Sequence, residues 1–315
     1  MMREIPIVLL IVAAPFVACA GRSRAPETSI AEVAEPRLVR QSYVSSKGEP
    51  KEFFVYLPRG YDSESERRWP VMLFLHGDGE RGDSREDLDW VLVHGPLYEA
   101  WVQKRDLPFL IVAPQLPLYG REKSIDYIRD RKPEDIPQRL EVGVPPRPEE
   151  FPTPWEMVAE PAPEELPIGP EGRPDGWSSV EQDLLSVLDR TLSVYRADSE
   201  RVYLTGISYG GFGSWYMASK HPDRFAAIAP VVGWGHPDLM PPLAERRMPV
   251  WAFAGGRDAA VWPQFFYPGL NALEKLGNDE VRFTIHVDTG HDTWRRVYEG
   301  QDLYEWMLLY HAPSE

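Results

Sequence analysis

The sequence predicts an α/β fold: a mostly parallel, doubly wound sheet with helices on both faces, interrupted by one long Pro-rich insertion. Three observations point there. Short, continuously apolar runs at 70–75, 109–114 and 202–207 suit strands buried on both faces, as parallel strands are. Segments of helical composition stand between them, and strands alternating with helices make a doubly wound sheet. The run 202–207 then enters Gly206-Ile207-Ser208-Tyr209-Gly210 and a helical stretch to Lys220, a corner too tight for side chains on either flank of Ser208. At 315 residues, 43% of them hydrophobic, the chain can build one large domain or two small ones. Its net charge of −15, with no basic stripe, argues against a nucleic-acid partner.

Residues 1–18 read as a secretory signal peptide. Arg3 precedes an apolar run that Pro6 and Pro15 break and that is too short to span a bilayer. Cys19, the chain's one cysteine, follows Phe16-Val17-Ala18 in a pattern that resembles a bacterial lipobox, with Phe where Leu is usual. The expectation is lipidation of Cys19, that lipid being the chain's membrane contact, and an exported protein of the periplasm or cell envelope. Ordinary cleavage at Ala18-Cys19-Ala20 is the alternative, with secretion. Both leave a mature domain without disulfides. Residues 19–36 are polar and Pro-containing, a flexible tether to a folded domain over 37–315.

That domain opens with two strands, 38–45 and 51–57, around a turn at 47–50. The buried strand 70–75 leads to His76 and the loop 77–82, at the sheet edge where ligands of open α/β sheets bind. Residues 84–104 read as a helix broken at Gly95-Pro96, and 109–114 as the next strand. The insertion, 116–176, holds thirteen prolines among many Glu and Arg residues and has little periodicity. So long an irregular segment is functional or disordered, a substrate-facing lid or a solvated surface loop; it has too few apolar residues for a domain of its own. Ser178-Ser179-Val180-Glu181 has the form of a capping box opening a helix to about residue 195. Strands are expected at 225–232, 249–254 and 281–288, with helices over 262–276 and 293–310.

The Ser208 corner has the form of a nucleophile elbow, which lifts a serine hydroxyl clear of the sheet. A serine needs a base to take its proton and an acid to orient that base. Asp258 follows the strand ending at Ala254, and His291 follows the strand ending near Asp288, the chain order such a site requires. His236, in another loop beyond a strand, is the rival base; His76, His221, His286 and His311 sit in poorer contexts. Oxyanion donors would be the backbone amides of Tyr209 and of Asp78, with Gly79 as substitute. Trp234, Trp262 and Trp294 lie near these loops as candidates to line a substrate pocket, core packing being the alternative.

Residues 76–82 (HGDGERG), 113–115 (APQ), 203–211 (YLTGISYGG) and 290–294 (GHDTW) together resemble one branch of the α/β-hydrolases. That branch holds secreted bacterial esterases and predicted peptidases related to polyhydroxybutyrate depolymerases and feruloyl esterases. The resemblance spans 37–310 except the insertion. It implies hydrolysis of a small-molecule or polymer-borne ester through Ser208, His291 and Asp258, without metal or organic cofactor. Asp78 stands where the family usually has a small residue, so its carboxylate must point away from the developing oxyanion. Two alternatives stay open: a serine peptidase of prolyl-oligopeptidase type, whose usual gating domain this chain is too short to hold, and a non-catalytic envelope lipoprotein docking through the insertion.

Overall fold

The structure, a computed structural model, describes residues 33–149 and 165–312. The signal-peptide and Cys19 expectations, and part of the insertion, fall outside the described residues.

A hairpin comes first, β1 (Arg37–Val44) and β2 (Pro50–Leu57), closed by Gly48 at φ +80°. Ala34 and Glu35, read from sequence as the end of the tether, are bonded to the body through Gly60 and Arg59. Then come β3 (Trp69–Leu75), a single turn α1 (Gly95–Leu97), β4 (Leu110–Ala113) and a turn α2 (Asp126–Arg129) within the insertion. The second half alternates: α3 (Glu181–Val194), β5 (Ala197–Ile207), α4 (Tyr209–Lys220), β6 (Ala227–Val231), α5 (Met240–Glu245), β7 (Val250–Gly255), α6 (Phe266–Lys275), β8 (Val281–His286), α7 (Trp294–Glu299) and α8 (Asp302–Met307).

One sheet of eight strands results, in the order β1-β2-β4-β3-β5-β6-β7-β8. The pairings of β2 are antiparallel and all the others are parallel. Alternation sorts the residues of β3 between two cores. Val71, Leu73 and Leu75 belong to one core with Leu184, Phe212 and Leu273, whereas Met72 and Phe74 belong to the other with Leu97, Tyr298 and Met307. Every residue of β3 is buried, as its unbroken apolar run requires. Among the described residues no helix is long and apolar enough to cross a membrane.

Three local readings are corrected. The helix expected over 84–104 is a 3-10 segment (Glu86–Leu92), α1 and a π turn (Tyr98–Val102). Gly95, at φ +81°, breaks it where any Cβ would strike the Phe74 ring. The capping box does not form: the Ser178 and Ser179 hydroxyls bond the carbonyls of Glu171 and Gly176, and Glu181 accepts from the Tyr216 hydroxyl and pairs with His221. The closing helix is two, divided at Gly300.

Candidate active site

Ser208 occupies the turn between β5 and α4 at φ 51°, ψ −111°, a conformation outside the regions where L-residues rest. Its flanks explain how it is held. A Cβ on Gly210 would land on the Leu75 carbonyl oxygen, and one on Gly206 against the Gly210 carbonyl, so strand and helix close on the corner only because both positions are glycine. The Ser208 amide donates to the Val231 carbonyl at 3.0 Å, fixing the turn to β6.

The chain ends of β7 and β8 bring the other two groups to the same rim. His291 Nε2 lies 3.0 Å from Ser208 Oγ, and its Nδ1 lies 2.7 Å from Asp258 Oδ2. The second Asp258 oxygen accepts from the amides of Ala260 and Val261, both at 2.8 Å. These bonds anchor a fully buried carboxylate and assign the tautomer: Nδ1–H donates to Asp258, leaving Nε2 to accept from the serine hydroxyl. His236 instead accepts from the Asp238 amide and takes no part.

Tyr209 is the first residue of α4, directly after Ser208, so its amide has no partner within the helix. The opposing loop, 77–82, follows β3 and is held by its own bonds. His76 is fully buried; its Nδ1 meets the Gly77 carbonyl at 2.6 Å and its Nε2 accepts from the Leu116 amide at 2.9 Å. Burial pushes its pKa down to about 3, so it serves as a neutral strut. Gln115 accepts from the Ser84 amide and donates to the carbonyls of Glu80 and Asp87. Burial also raises the Glu80 carboxyl to about 7, beside His76 and His94.

The Asp78 side chain takes four bonds: from Arg81 Nε at 2.5 Å, Arg121 Nε and Nη2 at 3.1 and 2.7 Å, and the Tyr127 hydroxyl at 2.6 Å. Burial alone would raise this carboxyl, but the bonds from Tyr127, Arg121 and Arg81 outweigh it and hold the group below the ordinary carboxylate range. Arg131 donates to the carbonyls of Gly79 and Arg81, and Arg81 reaches the carbonyls of Pro117 and Asp175. The insertion is therefore clamped onto the loop after β3. Sequence reading singled out Asp78 but missed Arg121, Tyr127 and Arg131, whose partners are 43 to 52 residues away.

Over Ser208 opens a cavity of about 710 Å³, lined among others by Gly77, Asp78, Trp90, His94, Arg121, Tyr127, Arg173, Tyr209, Val261, His291 and Trp294. Trp294 packs edge-on to the His291 ring at 5.2 Å. The other two candidate tryptophans are elsewhere. Trp234 is 2% exposed and packs on Phe212 and Phe265, while Trp262 stacks on Phe265 and donates to the Ala259 carbonyl. Both rings meet Phe265, and neither lines this cavity.

The model of the family described as "Putative esterase" matches residues 125–291, a span that includes Ser208, Asp258 and His291. "Putative esterase NocK" of Nocardia uniformis subsp. tsuyamanensis is 35% identical over 105 residues, 28% of this chain and 29% of the relative; the match thus spans under a third of that protein. A thermostable esterase of known structure superposes with TM-score 0.58 at 21% identity, over 87% of this chain and 63% of its own. A feruloyl esterase module from Clostridium thermocellum does so with TM-score 0.54 at 17% identity, over 88% of each chain. The fold is that of the α/β-hydrolases.

Proposed function

The chain belongs to this esterase family, and on that premise we propose that it is a serine carboxylic-ester hydrolase working through a covalent acyl-enzyme. The observation that carries the reading is the unbroken relay from Asp258 through His291 to Ser208, with bonds of 2.7 and 3.0 Å, opening on a cavity. Ser208 Oγ attacks the ester carbonyl as His291 Nε2 takes its proton, and Asp258 holds the ring and stabilises the imidazolium. The amides of Tyr209 and Asp78 receive the oxyanion. His291 then returns the proton to the departing alcohol. Water enters by the same route in reverse, leaving an acid and the free serine. The esterase relatives support a carboxylic ester, small or borne on a polymer, as substrate.

A fluorophosphonate probe, which phosphonylates activated serines, tests this directly. It should label the wild type and not Ser208→Ala, and Ser208→Ala should lower kcat on p-nitrophenyl acetate by roughly 10⁴ or more. An unlabelled wild type, or a Ser208→Ala variant with near-normal turnover, would overturn the assignment. For the N-terminus the proposal is export with lipidation at Cys19, supported by Arg3, the apolar run and the lipobox-like residues before Cys19. Loss of palmitate incorporation on Cys19→Ala is the matching test.

A further inference from the structure

The insertion walls the active-site cavity with three guanidiniums, those of Arg121, Arg131 and Arg173. Two of them are occupied. Arg121 is bonded to the Asp78 carboxylate, and Arg131 donates to three backbone carbonyls while lying over the Trp90 ring. Arg173 is not. Among the described residues no carboxylate lies within ion-pair reach of it, and its guanidinium carbon stands 5.6 Å from the Tyr209 ring centre and 5.7 Å from that of Phe212.

The carboxylates nearby are committed elsewhere. Asp78 is shared between Arg81 and Arg121, Asp130 is paired with Arg129, Asp135 accepts from the Lys132 amide, and Glu80 lies beside His76 and His94. Tyr209 thus has three guanidiniums within 5.6 Å of its ring centre and one carboxylate, Asp78, set among them. In a chain of net charge −15, three guanidiniums thus gather at the ring of the residue next to the proposed nucleophile. Solubility does not call for that, and Arg173 lines the cavity with its guanidinium beside two rings.

We propose that Arg173 is the centre of an anion-binding subsite in this cavity, and that the preferred substrates are esters carrying a carboxylate on the part of the molecule that lies over Tyr209. This rests on the ester-hydrolase reading and narrows it to a substrate class. A planar guanidinium matches a carboxylate through two parallel N–H bonds. The two aromatic faces hold that fork in place before the ligand arrives, which lowers the cost of ordering it.

The test compares matched pairs differing only in charge. Mono-p-nitrophenyl succinate against its methyl ester places the carboxylate on the acyl side; 3-acetoxybenzoate against methyl 3-acetoxybenzoate places it on the alcohol side. In the wild type the charged member of one pair should lead in kcat/KM by roughly tenfold or more. That ratio should collapse toward parity in Arg173→Gln, chiefly through KM, recover in part in Arg173→Lys, and shrink at high salt. Parity for both pairs in the wild type, or a preference that survives in Arg173→Gln, overturns the subsite. Turnover of the neutral esters that depends on Ser208 shows that such a failure belongs to the subsite alone. If the wild type hydrolyses no ester and takes no fluorophosphonate, the hydrolase reading fails and the subsite with it.

Discussion

Asp78→Asn asks whether the insertion holds the loop proposed to receive the oxyanion. In the wild type this carboxylate accepts four bonds from Arg81, Arg121 and Tyr127. Asparagine keeps the shape but not the charge, and its amide NH₂ would face donors. Arg81 is fully buried, and Asp78 is its one carboxylate partner among the described residues. Removing one member of a buried ion pair costs about 3–5 kcal/mol. Asp78 lines the cavity, where water can relieve part of the stranded charge, so the lower end, about 3 kcal/mol, is expected. In a domain of this size that is a fall in Tm of about 6–12 °C. Catalysis should suffer separately, because a displaced oxyanion donor lowers kcat by roughly 10²–10³. KM for p-nitrophenyl acetate should move little, since a small neutral ester needs no contact with the Asp78 side chain. Thermal melts and steady-state kinetics read both effects. An Asp78→Asn protein that melts within about 2 °C of wild type and keeps its kcat would show that the clamp positions nothing.

Two further predictions concern the frame around the site. Gly210→Ala should cost at least about 3 kcal/mol or abolish soluble expression, because its Cβ meets the Leu75 carbonyl within the sheet. Gly79→Ala, where a Cβ meets nothing within 4 Å, should stay within about 0.5 kcal/mol of wild type in the same denaturation series. Glu80→Gln should show a pH-dependent gain. With the folded carboxyl raised from 4.5 to about 7, its protonated form is favoured in the native state, so wild-type stability is lost as pH climbs through that window. The unfolding free energy of Glu80→Gln relative to wild type should therefore grow from about pH 4.5 to 7 and level off above, reaching on the order of 3 kcal/mol in denaturant titrations. A difference that is flat with pH would place that ionisation elsewhere.

Much of the site was legible because each candidate residue sits just past a strand that the sequence marks by itself. Residues 70–75 and 202–207 announce buried strands by composition, and Ser208, Asp258 and His291 each follow a strand, the last of them the partly exposed β8. Such signals are local. Where local signals compete, reading failed: Ser178 and Ser179 look like caps, yet nearer carbonyls take their hydroxyls, and Glu181 finds Tyr216 and His221 only after folding. Trp234 and Trp262 sit close in sequence to the site loops, but an aromatic gives no hint of which side of a loop it will face; Phe265 claims both. The insertion was the least legible part, since Pro-rich sequence without periodicity carries no sign of its long-range partners.

The insertion is best understood as part of the site and not as a cover over it. A lid that merely closes would touch the rim and could be lost without harm to small substrates. Here the segment bonds the backbone of the loop after β3 at Gly79 and Arg81 through Arg131, and its Arg121 and Tyr127 side chains bond the Asp78 carboxylate in that loop. Arg147 extends the attachment by binding the buried Glu99 through both oxygens, tying the segment to the π turn behind the cavity wall. Asp78 explains why such bracing is needed. A carboxylate in the loop proposed to receive the oxyanion would oppose the charge that develops in the reaction, unless neighbouring cations draw it aside and cancel it. Arg81 is supplied by the loop; Arg121 and Tyr127 are supplied by the insertion, so the departure at position 78 and the long segment after β4 make one device.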